Sequence, residues 1–438
     1  MFFLKFITIN LVKLNHRKGS TDTPRQSILP VVLISFLGIV GCLAKPSPSN
    51  QPQIETPSNK KPTGAEGLPA LIRIDVEDFP FFRDHFNFDN LQYGIQNSLA
   101  YLRRRPPATL VYFGKDPYPI SHLIRSLSRF QKKIRQKPSV TDLNQFIADN
   151  YLIYRSIGKE NDGQVLFTGY YEPFLNGSIV KTKTYRYPVY SLPDDLMTID
   201  LSKFSKDLAG KRINGRYNGK TIVPYYDRRQ IETDPNFAQK AKPIAWVDDQ
   251  VDLFFLHVQG SGQIHLKNGG TINVHYHGAN GRPYRSIGKL LINQGKISKK
   301  EMSMQKIRSY LKHHPDQIDK ILQYNHSFIF FEKEKEGPLG YLGVPLTPVR
   351  SAAFDRKAFP PAALAFIQTT IPVIDGDKHI TAWDEYRGFV LNQDTGGAIK
   401  GPGRTDIFWG SGPYAEVAAG HLKSRGELYF LILKPQSL

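Results

Sequence analysis

From Val165 onward the chain is a series of short apolar runs separated by glycine, proline and asparagine. The runs are rich in Val, Ile, Tyr and Phe, and they are QVLFTGYY, YPVY, LFFLHVQGSG, TINVHYHG, FIFFE and ELYFLILK. Such short runs between turn residues are typical of strands in barrels and sandwiches, and they disfavour a doubly wound α/β sheet. The sequence therefore predicts a fold that is mainly β.

Helical periodicity is confined to a few segments. Apolar residues recur at helical spacing over 117–154, which predicts one or two helices there. The same pattern returns around 286–293 and over 300–322. The expected fold class is therefore mainly β with some α.

Length and composition limit the choices further. A chain of 438 residues is longer than a single core usually supports, so two domains are expected, and 40% hydrophobic residues exclude disorder throughout. The 58 Lys and Arg against 39 Asp and Glu give a net charge of +19. That charge favours an anionic partner such as nucleic acid, a membrane surface or an acidic cell-wall polymer. A single cysteine excludes an intramolecular disulfide and a cysteine-based zinc site.

The first 42 residues have the layout of a secretory signal. Basic residues precede the apolar run 28–40, which is too short to span a bilayer as a helix. The end of the run, IVGC at 39–42, resembles the bacterial lipobox, in which the cysteine becomes N-terminal and carries lipid. Residues 1–42 are therefore predicted to be a lipoprotein signal peptide with lipid attached at Cys42, and the alternative is a buried free cysteine. Because Leu43 stands where an inner-membrane retention signal places Asp, we expect the periplasmic side of the outer membrane.

Residues 43–69 are predicted to be a disordered tether, because Pro, Ser, Asn, Gln and Lys dominate and no face can be buried. The first 66 residues carry a net charge of +5, so +14 remains on the rest of the chain. The basic character is therefore a property of the folded part as well.

Two further patterns partly match known binding motifs, one for phosphate and one for a metal ion. The segment RINGRYNGKT at 212–221 is one residue short of a phosphate-binding loop, and its Asn-Gly pairs predict a hairpin instead. His275 and His277 would share one face of a strand, which is compatible with metal binding. Neither pattern is complete, so we expect no cofactor and no metal.

The richest stretch is DTGGAIKGPGRTDIFWGSG at 394–412. It holds two carboxylates around a glycine-rich loop, an arrangement suited to acid/base work on a glycosidic bond. The apolar residues that follow Asp406 would raise the pKa of its carboxyl by removing water from it. Lys400 and Arg404 are expected to pair with Asp394 or to bind an anionic substrate. The alternative is that both aspartates are turn and capping residues.

This stretch resembles the 3D domain, named for three aspartates, of the membrane-bound lytic transglycosylase A (MltA) family. Further motifs match the family in order, and together they cover residues 167 to about 425. They are FTGYYEP, YPVY, DLFFLHVQGSGQI, GANGRPYRSIGKLLI, MSMQKIRSYL, NHSFIFFE and VPLTPVRSAAFDRKAFPP. Residues 70–160 match only weakly.

The resemblance implies a double-psi β-barrel catalytic domain with an inserted second β-barrel-like domain and a glycan groove between them. The catalytic barrel would combine 70–173 with 334–438, and the inserted MltA-type domain would occupy 174–333.

The resemblance also implies an activity. Family members cleave the β-1,4 bond between N-acetylmuramic acid and N-acetylglucosamine in peptidoglycan and leave 1,6-anhydromuramyl ends. Their single catalytic aspartate maps onto Asp406, its supporting partner onto Asp394, and the third, structural aspartate onto Asp355. The expected enzyme is a glycan-cleaving lyase, an exolytic transglycosylase, although the residues themselves leave exolytic and endolytic cutting open.

Substrate-binding candidates are Tyr170, Tyr171, Gln259, Gly260, Ser261, Lys400 and Arg404. The alternative for the two tyrosines is a strand with one face in the core and one on the surface. The alternative for Gln259, Gly260 and Ser261 is an ordinary turn at the end of a strand. Two other functions stay open: a hydrolytic muramidase, and a non-catalytic peptidoglycan-binding lipoprotein. The expected partners are peptidoglycan strands and the outer membrane, with proteins of cell-wall synthesis or hydrolysis left open. The export signal and the absence of a reader motif disfavour nucleic acid.

Overall fold

The computed structural model describes residues 69–435. The predictions for the signal peptide 1–42, for lipid at Cys42 and for nearly all of the tether 43–69 lie outside the described residues. Every described residue belongs to one compact unit, Thr56–Leu438.

Within the described range, the strands of the first half are β1 (Leu71–Ile74), β2 (Leu110–Phe113), β3 (Asp116–Pro119), β4 (Tyr151–Ser156), β5 (Val165–Glu172), β6 (Phe174–Ser178), β7 (Tyr187–Tyr190), β8 (Met197–Asp200), β9 (Arg212–Tyr217) and β10 (Ile222–Pro224). Those of the second half are β11 (Pro243–Val247), β12 (Ser261–Leu266), β13 (Thr271–Ala279), β14 (Ile329–Glu334), β15 (Ser351–Ala353), β16 (Leu364–Ile374), β17 (Ile380–Asp394), β18 (Arg404–Ser411) and β19 (Lys423–Leu433).

The helices of the same range are α1 (Leu91–Arg103), α2 (Ile120–Arg135), α3 (Val140–Asn150), α4 (Arg228–Thr233), α5 (Gln250–Gln259), α6 (Ile287–Asn293), α7 (Met304–His313), α8 (Ile318–Leu322) and α9 (Gly412–His421). The helices predicted over 117–154, 286–293 and 300–322 are confirmed by α2 and α3, by α6, and by α7 and α8.

Six strands close a barrel. Their order is β19, β16, β17, β15, β18 and β5, and β5 pairs back onto β19. The pairs β15–β17 and β18–β5 are parallel, whereas the other pairs of the ring are antiparallel. Strands β4 and β1 extend the sheet beyond β19. Inward side chains such as Phe167 and Ile407 lie in one large apolar cluster, so the barrel is filled rather than hollow.

A second sheet follows directly from the barrel strand β5. The chain passes Pro173 into β6, and the six-stranded order is β14, β13, β12, β6, β11 and β7. Helix α5 packs on this sheet through Leu253 and Leu256, while its other side joins α6, α7 and α8 in a separate apolar cluster. The two sheets and their modest helical content confirm the prediction of a mainly β fold.

The prediction of a strand in LFFLHVQGSG is wrong, because these residues form most of helix α5 and its end. Asp249 begins the helix by accepting hydrogen bonds from the backbone amides of Val251 and Asp252. Gly260 ends it in the left-handed region with a φ of 84°. The run is buried on nearly all sides, so its sequence shows no clear period of either kind.

The segment 212–221 forms a hairpin of β9 and β10, as predicted. Asn218 makes the turn by accepting hydrogen bonds from the amides of Lys220 and Thr221, at 3.1 and 2.8 Å. Strand β8 adds to β9 to complete a small three-stranded sheet.

The segment before α1 is fixed to the barrel by a buried ion pair. Arg350 donates hydrogen bonds to both carboxylate oxygens of Asp84, at 2.6 and 2.8 Å, and both side chains are excluded from water. Asp84 also accepts from the amide of Phe389 in β17. Truncating one partner of such a pair costs about 3–5 kcal/mol, because the other charge is left buried and unpaired.

Candidate active site

The two aspartates of the glycine-rich stretch lie on the same row of the barrel wall. Asp394 ends β17 and Asp406 is in β18, and both pair with Ala353 of β15, which runs between them. Neighbouring strands are about 4.8 Å apart, so their backbones are separated by about 10 Å. Thr168 of β5 pairs with Asp406 on its other side. Side chains on one row point to one face of a sheet, so the aspartates face the same side.

Asp394 is held by three hydrogen-bond donors. The Tyr170 hydroxyl donates to Oδ2 at 2.8 Å. The backbone amides of Tyr341 and Thr395 donate to Oδ1 at 2.9 and 2.8 Å. Both oxygens of Asp394 are therefore already engaged as acceptors.

Asp406 has a different environment. The Thr168 hydroxyl donates to Oδ1, and the Arg404 guanidinium lies 3.5 Å from the same oxygen. Arg404 also donates to the Thr168 hydroxyl at 3.2 Å, so the three side chains form a closed group. The side chain of Asp406 remains 18% exposed. Its Oδ2 is therefore the oxygen best placed to meet a ligand.

Burial raises the pKa of both carboxyls. For Asp394 the pKa rises to about 6, against the hydrogen bonds from Tyr170, Thr395 and Tyr341 that favour the ionised form. For Asp406 the pKa also rises to about 6, and the charge of Arg404 opposes the rise. A carboxyl with such a pKa can carry and release a proton near neutral pH.

Asp355 has contacts typical of a structural residue. It is nearly buried, and its Oδ2 accepts a hydrogen bond from the Gly401 amide at 2.7 Å while Oδ1 accepts from the Lys357 amide at 2.9 Å. Gly401 has a φ of 70°, in the left-handed region that favours glycine. Asp355 therefore fixes the glycine-rich loop between the two aspartates.

One of the two loop cations, Arg404, lies beside an aspartate. The expected pairing of Arg404 with Asp394 is wrong, because Arg404 begins β18 two residues before Asp406 on the same face and contacts that aspartate. Its binding of an anionic substrate stays a prediction. Lys400 is exposed on the loop. Gly403 admits no side chain, since a Cβ there would lie 2.6 Å from the backbone nitrogen of Lys159.

The paired tyrosines point to opposite faces of β5, as alternation along a strand requires. Tyr170 shares the face of Thr168 and contacts Asp394. Tyr171 is 3% exposed, and its backbone amide donates to Oε1 of Gln259 at 3.0 Å. The Gln259 side chain therefore joins helix α5 to the barrel strand.

Gly260 and Ser261 lie at the junction of α5 and β12 rather than in a turn between strands. The Gly260 carbonyl accepts a hydrogen bond from the amide of Tyr276 at 2.7 Å, and Ser261 is largely buried. Neither contacts the aspartates in the described part of the chain.

Sequence reasoning missed Thr168 and Tyr341. The motif FTGYYEP carried a usable signal for the first, because a strand that places Tyr170 on one face places Thr168 on that face too. No comparable signal existed for Tyr341, since its backbone amide supplies the contact.

A pocket of about 370 Å³ lies beside the barrel strand β5, lined by Tyr171, Pro173, Phe174, Leu175, Asp252, Arg308, Gly412, Pro413 and Glu416. It does not include Asp394 or Asp406. Over residues 69–435, no three His, Cys, Asp or Glu side chains are grouped so that they could hold a metal ion. No helix in this range has the length and apolarity needed to cross a membrane.

Comparison with known families finds two matches along the chain. The MltA specific insert domain matches residues 166–332, and the 3D domain matches residues 350–432. The second match contains the three aspartates described above.

Comparison with known proteins agrees. The membrane-bound lytic murein transglycosylase A of Escherichia coli (strain K12) is 31% identical over 308 residues, which are 70% of this chain and 75% of that protein. The protein of the same name from Vibrio cholerae is 29% identical over 282 residues, 63% of this chain and 68% of that one.

Solved structures show the same likeness. The membrane-bound lytic murein transglycosylase from Agrobacterium tumefaciens has a TM-score of 0.67 at 28% identity, covering 83% of this chain and 98% of its own. E. coli MltA with bound chitohexaose has a TM-score of 0.62 at 25% identity, covering 87% and 98%. By sequence and by fold, the chain described here belongs to the membrane-bound lytic murein transglycosylase A family.

Proposed function

We propose that this protein is a lytic transglycosylase that cleaves the β-1,4 bond between N-acetylmuramic acid and N-acetylglucosamine in peptidoglycan. Membership of the family supports the peptidoglycan-cleaving activity. The observation that carries the mechanism is a difference in hydrogen bonding: both oxygens of Asp394 accept hydrogen bonds, whereas both contacts of Asp406 fall on Oδ1.

Asp406 is the proposed general acid. With its pKa raised to about 6, about half of the carboxyl is protonated at pH 6 and about a tenth at pH 7, and both of its contacts fall on Oδ1. A proton on Oδ2 would therefore be free to reach the leaving oxygen of the glycan. Asp394 supports the site instead, because its oxygens already accept three hydrogen bonds.

The reaction needs only one such residue. Protonated Asp406 donates to the glycosidic oxygen as the bond to C1 breaks, which leaves a carboxylate. The muramyl 6-hydroxyl then attacks C1, and the carboxylate takes its proton, so a 1,6-anhydromuramyl end forms and Asp406 is protonated again. Because the nucleophile is tethered to the substrate, proximity replaces a water-activating base.

We place the glycan in a groove between the barrel and the second sheet. Arg404 lies close enough to Tyr284, in the loop after β13, to oppose the rise in the pKa of that phenol that burial causes. Lys400 and Arg404 would contact the anionic glycan, while Tyr171, Gln259, Gly260 and Ser261 would shape the junction of the two sheets.

The finer architecture belongs to the same proposal. Mixed parallel and antiparallel pairs in a closed six-stranded ring support a double-psi barrel. The change of sheet at Pro173 and the end of β14 at Glu334 support a nested arrangement, in which 70–173 and 334–438 form the barrel domain and 174–333 the insert.

A lipid anchor at Cys42 and a position on the periplasmic side of the outer membrane complete the proposal. Labelling cells with an alkyne fatty acid tests it. The wild type should take up the label and a Cys42→Ala variant should not, whereas equal labelling of both would exclude this attachment site.

The central experiment digests purified sacculi in ¹⁸O-labelled water and identifies the released glycans by mass spectrometry. We expect 1,6-anhydromuramyl products without ¹⁸O from the wild type and none from Asp406→Asn. Reducing ends that contain ¹⁸O would show a hydrolase. Binding to sacculi without turnover by the wild type would show a non-catalytic binding protein. Full activity of Asp406→Asn would exclude Asp406 as the acid.

A further inference from the structure

Within residues 69–435, the small sheet of β8, β9 and β10 makes polar contacts with the second sheet and its loops through one face. On that face, the Asn214 side-chain amide donates to the carbonyl of Ala279 at 2.7 Å. The Arg216 guanidinium lies 4.2 Å from the ring centroid of Tyr226. The residues between these two, and on either side of them, must point the other way.

The opposite face is apolar on all three strands. In register, Ile199 pairs with Ile213, and Ile222 pairs with Tyr217. The side chains of this apolar sheet face are Met197, Ile199, Ile213, Tyr217, Ile222 and Pro224. Alternation along β9 therefore places the polar side chains that contact neighbouring segments on one face and the apolar side chains on the other.

The apolar sheet face is open to solvent. Ile213 is 49% exposed, Tyr217 62% and Ile222 50%. Phe204, a few residues beyond the end of β8, is 71% exposed. Neighbouring apolar side chains left in water together mark an interaction site on a soluble domain, whereas single exposed apolar residues do not.

Cations surround this surface. The segments at the ends of the three strands carry four exposed lysines against two acidic residues, and the lysines are Lys203, Lys206, Lys211 and Lys220. Arg212 and Arg216 lie on the opposite face with Asn214. Protein interfaces are depleted in lysine, so this rim is unusual for a protein partner. An apolar centre with aromatic side chains and a lysine-rich rim is instead the composition that inserts into the headgroup region of an anionic bilayer.

We propose that the apolar sheet face docks this protein onto an anionic phospholipid bilayer, with Phe204 and Tyr217 entering the headgroup region and the lysine rim meeting the phosphates. The surface shares no residue with the group around Asp406. The proposal is therefore independent of the catalytic mechanism and of any lipid at Cys42.

The test uses the compact unit Thr56–Leu438, which contains every described strand and helix and lacks the cysteine. Cosedimentation measures its binding to vesicles of phosphatidylglycerol and phosphatidylcholine. We expect Tyr217→Ser with Ile222→Ser to weaken binding at least about tenfold, because both side chains would leave the bilayer. Lys206→Gln, Lys211→Gln and Lys220→Gln should each weaken it by up to about fivefold, and added salt should weaken it too.

Matched controls lie elsewhere on the chain. Ile179 and Val180 are 67% and 60% exposed but do not belong to the small sheet, so Ile179→Ser with Val180→Ser should leave vesicle binding unchanged. Lys299→Gln with Lys300→Gln removes two exposed charges away from the rim and should have little effect. Circular dichroism and thermal unfolding check that each variant is folded.

Three results would overturn the proposal. The first is no binding of the folded wild type to anionic vesicles, or equal loss in the control variants. The second is self-association in sedimentation that the Tyr217→Ser and Ile222→Ser variant abolishes, which would assign the face to a second copy. The third is a Tyr217→Ser and Ile222→Ser variant that binds purified glycan strands more weakly than the wild type but binds vesicles equally well, which would assign the face to peptidoglycan.

Discussion

The end of β17 and the middle of β18 each hold an aspartate whose pKa burial raises to about 6, but the two surroundings differ. Asp394 accepts hydrogen bonds from a tyrosine hydroxyl and two backbone amides, with no cation in contact. Asp406 meets a threonine hydroxyl and a guanidinium on Oδ1 alone, and both aspartates are partly exposed.

The comparison shows that a raised pKa does not by itself identify the catalytic acid. Both carboxyls could hold a proton near pH 6, yet only one has an oxygen placed to pass it to a ligand. The number and position of the existing hydrogen bonds therefore distinguish the proposed catalytic acid, Asp406, from the supporting residue, Asp394.

The largest expected effect is on turnover. Asp406→Asn should lower the rate of release of anhydromuramyl products by about 10³-fold or more, because the amide cannot donate an acidic proton. Asp394→Asn should lower it only about tenfold, because Oδ1 of the amide still accepts from both backbone amides. Mass spectrometry of digested sacculi measures both rates. A larger loss in Asp394→Asn than in Asp406→Asn would reverse the assignment.

The next effect is on the pH profile. Since Arg404 lowers the pKa of Asp406, Arg404→Gln should raise that pKa and move the alkaline limb of the rate profile upward by up to about one pH unit. Arg404→Lys keeps the charge and should move it less. Turbidity clearance of sacculi across the pH range measures the limb. An unchanged profile in Arg404→Gln would separate Arg404 from the acid.

A smaller effect concerns stability. Burial raises the pKa of Asp406 above the ordinary aspartate value of 3.8, so the contribution of this carboxyl to stability is full below that pH and is lost as the pH rises through about 6. Asp406→Asn cannot ionise and should be about 1–2 kcal/mol more stable than the wild type above pH 6, with the difference vanishing near pH 4. Urea unfolding at both values measures it.

Asp394→Asn is the comparison variant for this measurement. It should gain less stability than Asp406→Asn, because weakening three hydrogen bonds offsets the benefit of removing a buried charge. An equal gain in the two variants would show that the hydrogen bonds to Asp394 contribute little.

The smallest expected effect comes from Tyr170→Phe. It removes one of the three donors to Asp394, which costs about 1 kcal/mol and should lower the rate about fivefold. The alkaline limb should move less than in Arg404→Gln, because the Tyr170 hydroxyl donates to Asp394 and not to Asp406. A shift of the limb as large as that of Arg404→Gln would contradict the separation of the two environments.

Much of the fold followed from local patterns. The runs QVLFTGYY, TINVHYHG and ELYFLILK became strands because alternation and turn residues agree there, and the hairpin at 212–221 follows from its Asn-Gly pair. Helix α5 did not follow, because a segment buried on nearly all sides shows no period, and packing between two apolar clusters selected the helix.

The residues that could do the chemistry are recognisable from the order of amino acids: two aspartates around a glycine-rich loop, within motifs long enough to indicate the family. Their surroundings depend on contacts between distant parts of the chain. Thr168 and Tyr170 precede their aspartate partners by 238 and 224 residues. The pairing of β5 with β18 brings Thr168 to Asp406, and the pairing of both β17 and β18 with β15 brings Asp394 within reach of Tyr170. Hydrogen bonds and burial depend on distance in space, so the difference between Asp394 and Asp406 arises only when the barrel closes.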